Sequence, residues 1–159
     1  MPTLGAPLWF NEPPSHREDR GVLSVVNGRE TDWWNNNFYG FRHLNGHFRG
    51  TPVTGDFSLT VTFSAPYTAL YDQAGAMVRV DDDNWLKCGV EYADGRRNFS
   101  VVNTRDDQSD WSVMPIDGAV DAPVTLRITR HAEALRVERL VGSKLNWYAS
   151  PIFAWAIRC

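Results

Sequence analysis

Cysteine is scarce: the chain of 159 residues holds two, Cys88 and Cys159. Two cysteines cannot build the disulfide framework of a small secreted scaffold, so the cytoplasm is the expected compartment. Cys88 lies inside an apolar strand pattern and is expected to be a small, inert core residue. The N-terminus lacks a charged stretch followed by an apolar run, so no secretory signal is read. No run of about eighteen apolar residues suggests a membrane span, and no polybasic cluster suits an anionic lipid surface. A net charge of −3 argues against a nucleic-acid partner, which favours a basic face. Internal repeats, linkers and low-complexity tracts are also missing, and residues 1–159 are expected to form one domain.

Helical periodicity is almost absent as well, which leaves short β-rich runs punctuated by turn residues and an all-β reading. What the chain does have is aromatic side chains, 13% of the residues, with seven tryptophans. Most of these rings are expected in the core, although a flat ring also covers the apolar face of a sugar. Residues 21–26 run into Asn27-Gly28, and Asn45-Gly46 stands between 37–43 and 47–49, so both pairs are expected to be hairpin turns. In 57–63, Phe57, Leu59, Val61 and Phe63 alternate with polar residues, the pattern of a half-buried strand.

The register of the central strands follows from their side chains. In 74–80, Ala74, Ala76, Val78 and Val80 share one face, and Gln73, Met77 and Arg79 lie on the other. In 85–92, Leu86, Cys88, Val90 and Tyr92 oppose Trp85, Lys87, Gly89 and Glu91. A one-residue slip would bury Lys87 and Glu91, so the pattern selects one pairing across Asp81-Asp82-Asp83-Asn84. Further strands are expected at 98–104 and 111–114, completing a four-stranded meander whose apolar face needs a second sheet. Residues 124–130 and 134–139 read as a further hairpin.

These residues carry a family resemblance. Trp33-Trp34 with Tyr39-Gly40-Phe41, Gly46-His47-Phe48, Gly55-Asp56-Phe57 and Tyr71-Asp72-Gln73-Ala74-Gly75 occur in order. Met77-Val78-Arg79, Asn84-Trp85-Leu86-Lys87, Gly89-Val90-Glu91, Ser100-Val101-Val102 and Ser109-Asp110-Trp111-Ser112 follow. From about Leu8 to about Arg139 the chain resembles the regulation-of-enolase-protein family, of unknown function, in the concanavalin A-like lectin and glucanase superfamily. The resemblance implies a jelly-roll β-sandwich of two antiparallel sheets with a concave face, and no known reaction. Such proteins continue past this point into further strands. Here 140–159 departs from that pattern, so a sandwich lacking its last strands, with an exposed edge, is expected.

No catalytic constellation survives inspection. The acidic strand motif of the superfamily's glucanases, Glu-x-Asp-x-x-Glu or Glu-x-Asp-x-Glu, is missing, and Glu91-Tyr92-Ala93-Asp94 has the wrong spacing. Asp81-Asp82-Asp83-Asn84 could offer oxygen ligands to Ca²⁺. It lacks the spacing and distal glutamate of an EF-hand loop, and a turn is the simpler reading. His43 and His47 supply two imidazoles without a third ligand for zinc. No nucleophile arrangement and no Gly-rich phosphate loop is present, so no catalytic residue, metal or cofactor is expected.

What remains is the polar sheet face. Arg79, Trp85, Lys87, Glu91 and Gln73 project together under the register above, with Trp34, Tyr39, Asp110 and Trp111 at the rim. A tryptophan among charged hydrogen-bonding groups suits a saccharide or a small polar metabolite. The same face would equally serve as a solvated surface with lysine and glutamate paired across strands. A non-catalytic binding module is the expected function. The alternatives are a regulatory protein that docks on a metabolic enzyme and, more remotely, a carbohydrate-active hydrolase.

Overall fold

A computed structural model describes residues 6–149. Every regular element among them is a strand. In chain order these are β1 (Leu8–Phe10), β2 (Ser15–Asp19), β3 (Val22–Val26), β4 (Trp33–Asn35), β5 (Arg42–Leu44), β6 (Phe48–Gly50) and β7 (Phe57–Phe63). They continue as β8 (Gln73–Arg79), β9 (Trp85–Ala93), β10 (Arg96–Arg105), β11 (Gln108–Pro115), β12 (Val124–His131), β13 (Ala134–Val141) and β14 (Lys144–Ala149). No described helix is long and apolar enough to cross a membrane. One four-stranded sheet has the order β11-β10-β9-β8 and a second the order β14-β13-β12-β7, while β1-β6, β2-β3 and β4-β5 are two-stranded.

The chain divides into two compact units. The first holds the described residues up to Val53 together with Arg79–Trp85 and Thr104–Asp110; the second holds Thr54–Val78, Leu86–Asn103 and the described residues from Trp111 onward. The second unit is an antiparallel β-sandwich built on alternation. Leu86, Cys88 and Val90 of β9 and Phe99 and Val101 of β10 meet Val124, Leu126 and Ile128 of β12 and Leu135 and Val137 of β13 in one core. Ala74, Ala76 and Val78 pack on that core from β8, and Phe57, Val61 and Phe63 from β7. These are the faces the alternation assigns, although Leu59 and Val80 remain exposed. Burial pushes the Cys88 thiol up to about 12, so it is not a nucleophile at neutral pH.

The first unit departs from the expected turns. Asn27-Gly28 closes no hairpin: β3 pairs back onto β2, Asp19 opposite Val22, around Arg20 and Gly21 at φ 49° and 77°. Two positive φ values are what a two-residue type I′ turn demands. The highly charged β2 carries no apolar alternation by which to recognise it. Asn45-Gly46 is not a hairpin turn either, because β5 pairs with β4 and β6 pairs with β1. Gly46 is needed for space: a Cβ there would sit 2.3 Å from Cδ1 of Trp33, whose Nε1 donates to the Gly46 carbonyl at 2.9 Å. Past Arg139 the chain forms β14, paired to β13 with a bulge between Val137 and Glu138. Residues 150–159 of the atypical tail lie outside the described residues.

β8 and β9 approach closely where two glycines meet. A Cβ on Gly75 would stand 2.0 Å from the Cys88 carbonyl oxygen, and one on Gly89 2.1 Å from that of Ala74. Neither backbone atom can move without breaking the ladder. Gly75→Ala and Gly89→Ala are each expected to lower unfolding free energy by about 3 kcal/mol or more in urea melts. Gly55→Ala, with open space around its Cβ and φ at 72°, should cost only about 1 kcal/mol.

Candidate ligand-binding face

The side of β9 and β10 that turns away from the core carries a polar chain. Glu91 is 6% exposed and accepts a hydrogen bond from the Ser100 hydroxyl at 2.8 Å. Trp111 Nε1 of β11 donates to the same Ser100 oxygen at 3.1 Å. One serine therefore joins an indole to a buried carboxylate. The Asp94-Gly95 turn, at φ 54° and 72°, sets the register that brings Ser100 back alongside Glu91. Alternation along β9 puts half-buried Lys87 on the side of Glu91, and along β8 it puts Gln73 and Met77 on the side of Gly75. Gly75 and Gly89 leave this stretch without side chains of its own. Buried Asn98 Nδ2 is committed to the Ala93 and Arg96 carbonyls, bracing the turn.

The other residues expected at the site belong to the first unit. Trp85 is 0% exposed and meets Trp33 edge-to-face at 5.9 Å, so its ring has no face open to solvent. Arg79 pairs with Asp82 and lies over the rings of Phe10 at 5.0 Å and Trp33 at 5.9 Å. Trp34 is buried and donates through Nε1 to the Asn37 carbonyl at 3.0 Å. Tyr39 and Asp110 are exposed. Glu91, Trp111, Lys87 and Gln73 thus fall in the second unit, and Arg79, Trp85, Trp34, Tyr39 and Asp110 in the first.

Ser100 was legible only as a polar residue in an apolar strand. Its role depends on the hairpin register, which the sequence shows through the Asp-Gly turn. A second missed residue is Asp107 of the first unit. It accepts from Asn35 Nδ2 at 2.8 Å, from Asn36 Nδ2 at 2.5 Å and from Arg42 Nε at 2.9 Å. Arg42 also reaches Asp83 at 2.6 Å. Asp81 accepts from the Asp83 N–H and from Asn84 Nδ2, both at 2.9 Å, as a turn-forming aspartate does. His47 accepts from the Gly28 N–H at 2.9 Å and donates from Nδ1 to the Asn11 carbonyl at 2.6 Å, so both its nitrogens are engaged.

A family model described as "Protein of unknown function (DUF1349)" matches residues 9–154, beyond the expected limit near Arg139. The chain is 37% identical over 144 residues to "Regulation of enolase protein 1" of Saccharomyces cerevisiae, covering 91% of this chain and 71% of that protein. A solved structure, "The crystal structure of a functionally unknown protein from Saccharomyces cerevisiae", superposes with a TM-score of 0.87 at 34% identity. That superposition covers 92% of this chain and 79% of the other.

Ser100→Ala would strip a donor from the buried Glu91 carboxylate and an acceptor from the Trp111 N–H. A loss of about 1–3 kcal/mol in chemical denaturation is expected, with a shift in tryptophan emission. Ser100→Thr, which keeps the hydroxyl, should recover most of it.

Proposed function

We propose, for a chain that belongs to the DUF1349 family of proteins of unknown function, that it is a binding module whose ligand is a saccharide or small polar metabolite. The ligand lies on the face of the second unit that carries Lys87, Glu91, Ser100 and Trp111. The observation that carries this reading is the Trp111–Ser100–Glu91 chain. A carboxylate withdrawn from water on the side of a sheet away from its core adds nothing to that core and costs desolvation. Its orientation is set in advance by Ser100, which is how a site spares a ligand the work of ordering it. An indole whose N–H is already satisfied has its ring left to offer, and a flat ring suits the apolar face of a sugar. Lys87 adds a cation for a hydroxyl or an acidic group.

A second reading is favoured by the yeast relative, whose name gives it a role in regulating enolase. On that reading the chain is a regulatory protein that docks on a metabolic enzyme, and enolase is the first partner to test.

Calorimetric titration with sugars, sugar phosphates and glycans separates the two. The binding-module reading predicts a saturable heat that Trp111→Ala and Lys87→Ala each weaken at least tenfold while the far-ultraviolet spectrum is kept. Silence across the panel, with co-elution of purified enolase, would transfer the function to the docking reading.

A further inference from the structure

The connection between β4 and β5 holds a row of aromatic rings in water. Phe38 is 90% exposed, and Tyr39 and Phe41 are also exposed. The rings touch in sequence: Phe38 to Tyr39 at 4.8 Å, Tyr39 to Phe41 at 5.4 Å with planes 16° apart, and Phe41 to His43 at 4.8 Å. Tyr39 also meets the buried Trp34 at 5.4 Å, which ties the row to the interior of the first unit. The loop beneath is braced throughout. The Asn36 N–H donates to the Phe41 carbonyl at 2.8 Å, the Gly40 N–H to the Asn36 carbonyl at 2.9 Å, and Asn37 Nδ2 to the Ser109 carbonyl at 3.1 Å. Asn36 and Arg42, on either side of the row, are both anchored on Asp107.

Phe38 is the residue that folding does not explain. Its φ is 64°, a left-handed conformation that a bulky side chain adopts only under constraint. Its ring then gains no burial in return. Glycine would serve the turn better, as it does at Gly40 with φ 70°. A strained backbone and an unburied aromatic at one position, on a loop made rigid from both sides, describe a presented contact. Large aromatic anchors of this kind dominate the energy of protein interfaces.

The charge around the row says what it meets. The only cation within it, Arg42, is spent on Asp107 and Asp83. The segments that hold it, 79–85 and 104–110, carry six aspartates, Asp81, Asp82, Asp83, Asp106, Asp107 and Asp110, against two arginines, Arg79 and Arg105, which pair with Asp82 and Asp106. With Arg42 counted the cluster stays negative, and Asp81 and Asp110 are exposed. We infer that the Phe38–Tyr39–Phe41 row is a docking surface for a protein partner presenting a lysine- or arginine-rich segment. Aliphatic stems and cationic heads of that segment lie over the rings, and the aspartates set its approach. This surface is independent of the Glu91 face.

Fluorescence anisotropy with a labelled hepta-lysine peptide tests it, using the whole chain and Phe38→Gly, which leaves every charge in place. The wild type is expected to bind with an affinity that falls as salt rises from about 20 to about 200 mM. Phe38→Gly should bind at least tenfold more weakly and melt at a higher temperature than the wild type, since the strain is gone. Equal peptide affinity for the two proteins would overturn the proposal, because aspartates alone would then account for binding. A lower melting temperature for Phe38→Gly would also overturn it, by making the ring structural. So would binding of neutral oligosaccharides, and not hepta-lysine, that Phe38→Gly abolishes.

Discussion

Alternation along β9 is the constraint on which the second unit depends. A strand gives each residue to one of two faces, and β9 gives Leu86, Cys88 and Val90 to the core and Lys87 and Glu91 to the other side. A slip of one residue would exchange the sets, placing an ammonium and a carboxylate among Leu126, Ile128 and Val137. The sandwich and the polar face are therefore two consequences of one register. Gly75 and Gly89 hold that register from beside it, since each lies so close to the neighbouring backbone that no side chain fits.

Much of this was legible because it rests on period-two patterns. The meander of β8 to β11, the β12–β13 hairpin and the membership of the core all follow from alternation and turn residues. Where pairing skips along the chain, the pattern was silent. β1 with β6 and β4 with β5 are short strands joined by irregular loops, and their partners are chosen by tertiary contacts such as Trp33 against Gly46. The Asn-Gly pairs looked like turns because asparagine and glycine suit any tight bend, and here they serve loops of another kind. β2 was invisible because every one of its residues is exposed.

The candidate site was legible in part for the same reason. Glu91 and Lys87 were placed by alternation, and Trp111 was expected at the rim of their face. Trp85 shares their face by count, yet it is fully buried against Trp33 in the first unit. Periodicity reports which side a residue takes and not what later covers that side. Ser100 was quoted only within a motif and Asp107 went unremarked, because a serine in a strand and an aspartate in a turn are ordinary residues. The significance of Asp107 lies in partners that are distant in sequence, Asn36 being 71 positions away, and that of Ser100 in the pairing of neighbouring strands, which brings Glu91 and Trp111 to one hydroxyl.

The two units make different use of polar groups. Around Asp107, hydrogen bonds brace loops and hold a ring row open to water. Around Ser100, they hold a carboxylate away from it. The second arrangement is the proposed ligand site, and fluorine NMR of the protein labelled with 5-fluorotryptophan reads its indole, with Trp111→Phe assigning the resonance. A saturating sugar or sugar phosphate is expected to shift the Trp111 signal and to leave those of buried Trp33, Trp34 and Trp85 in place. A ligand that moves the buried signals and not that of Trp111, or a full panel that moves none, would contradict the proposed site.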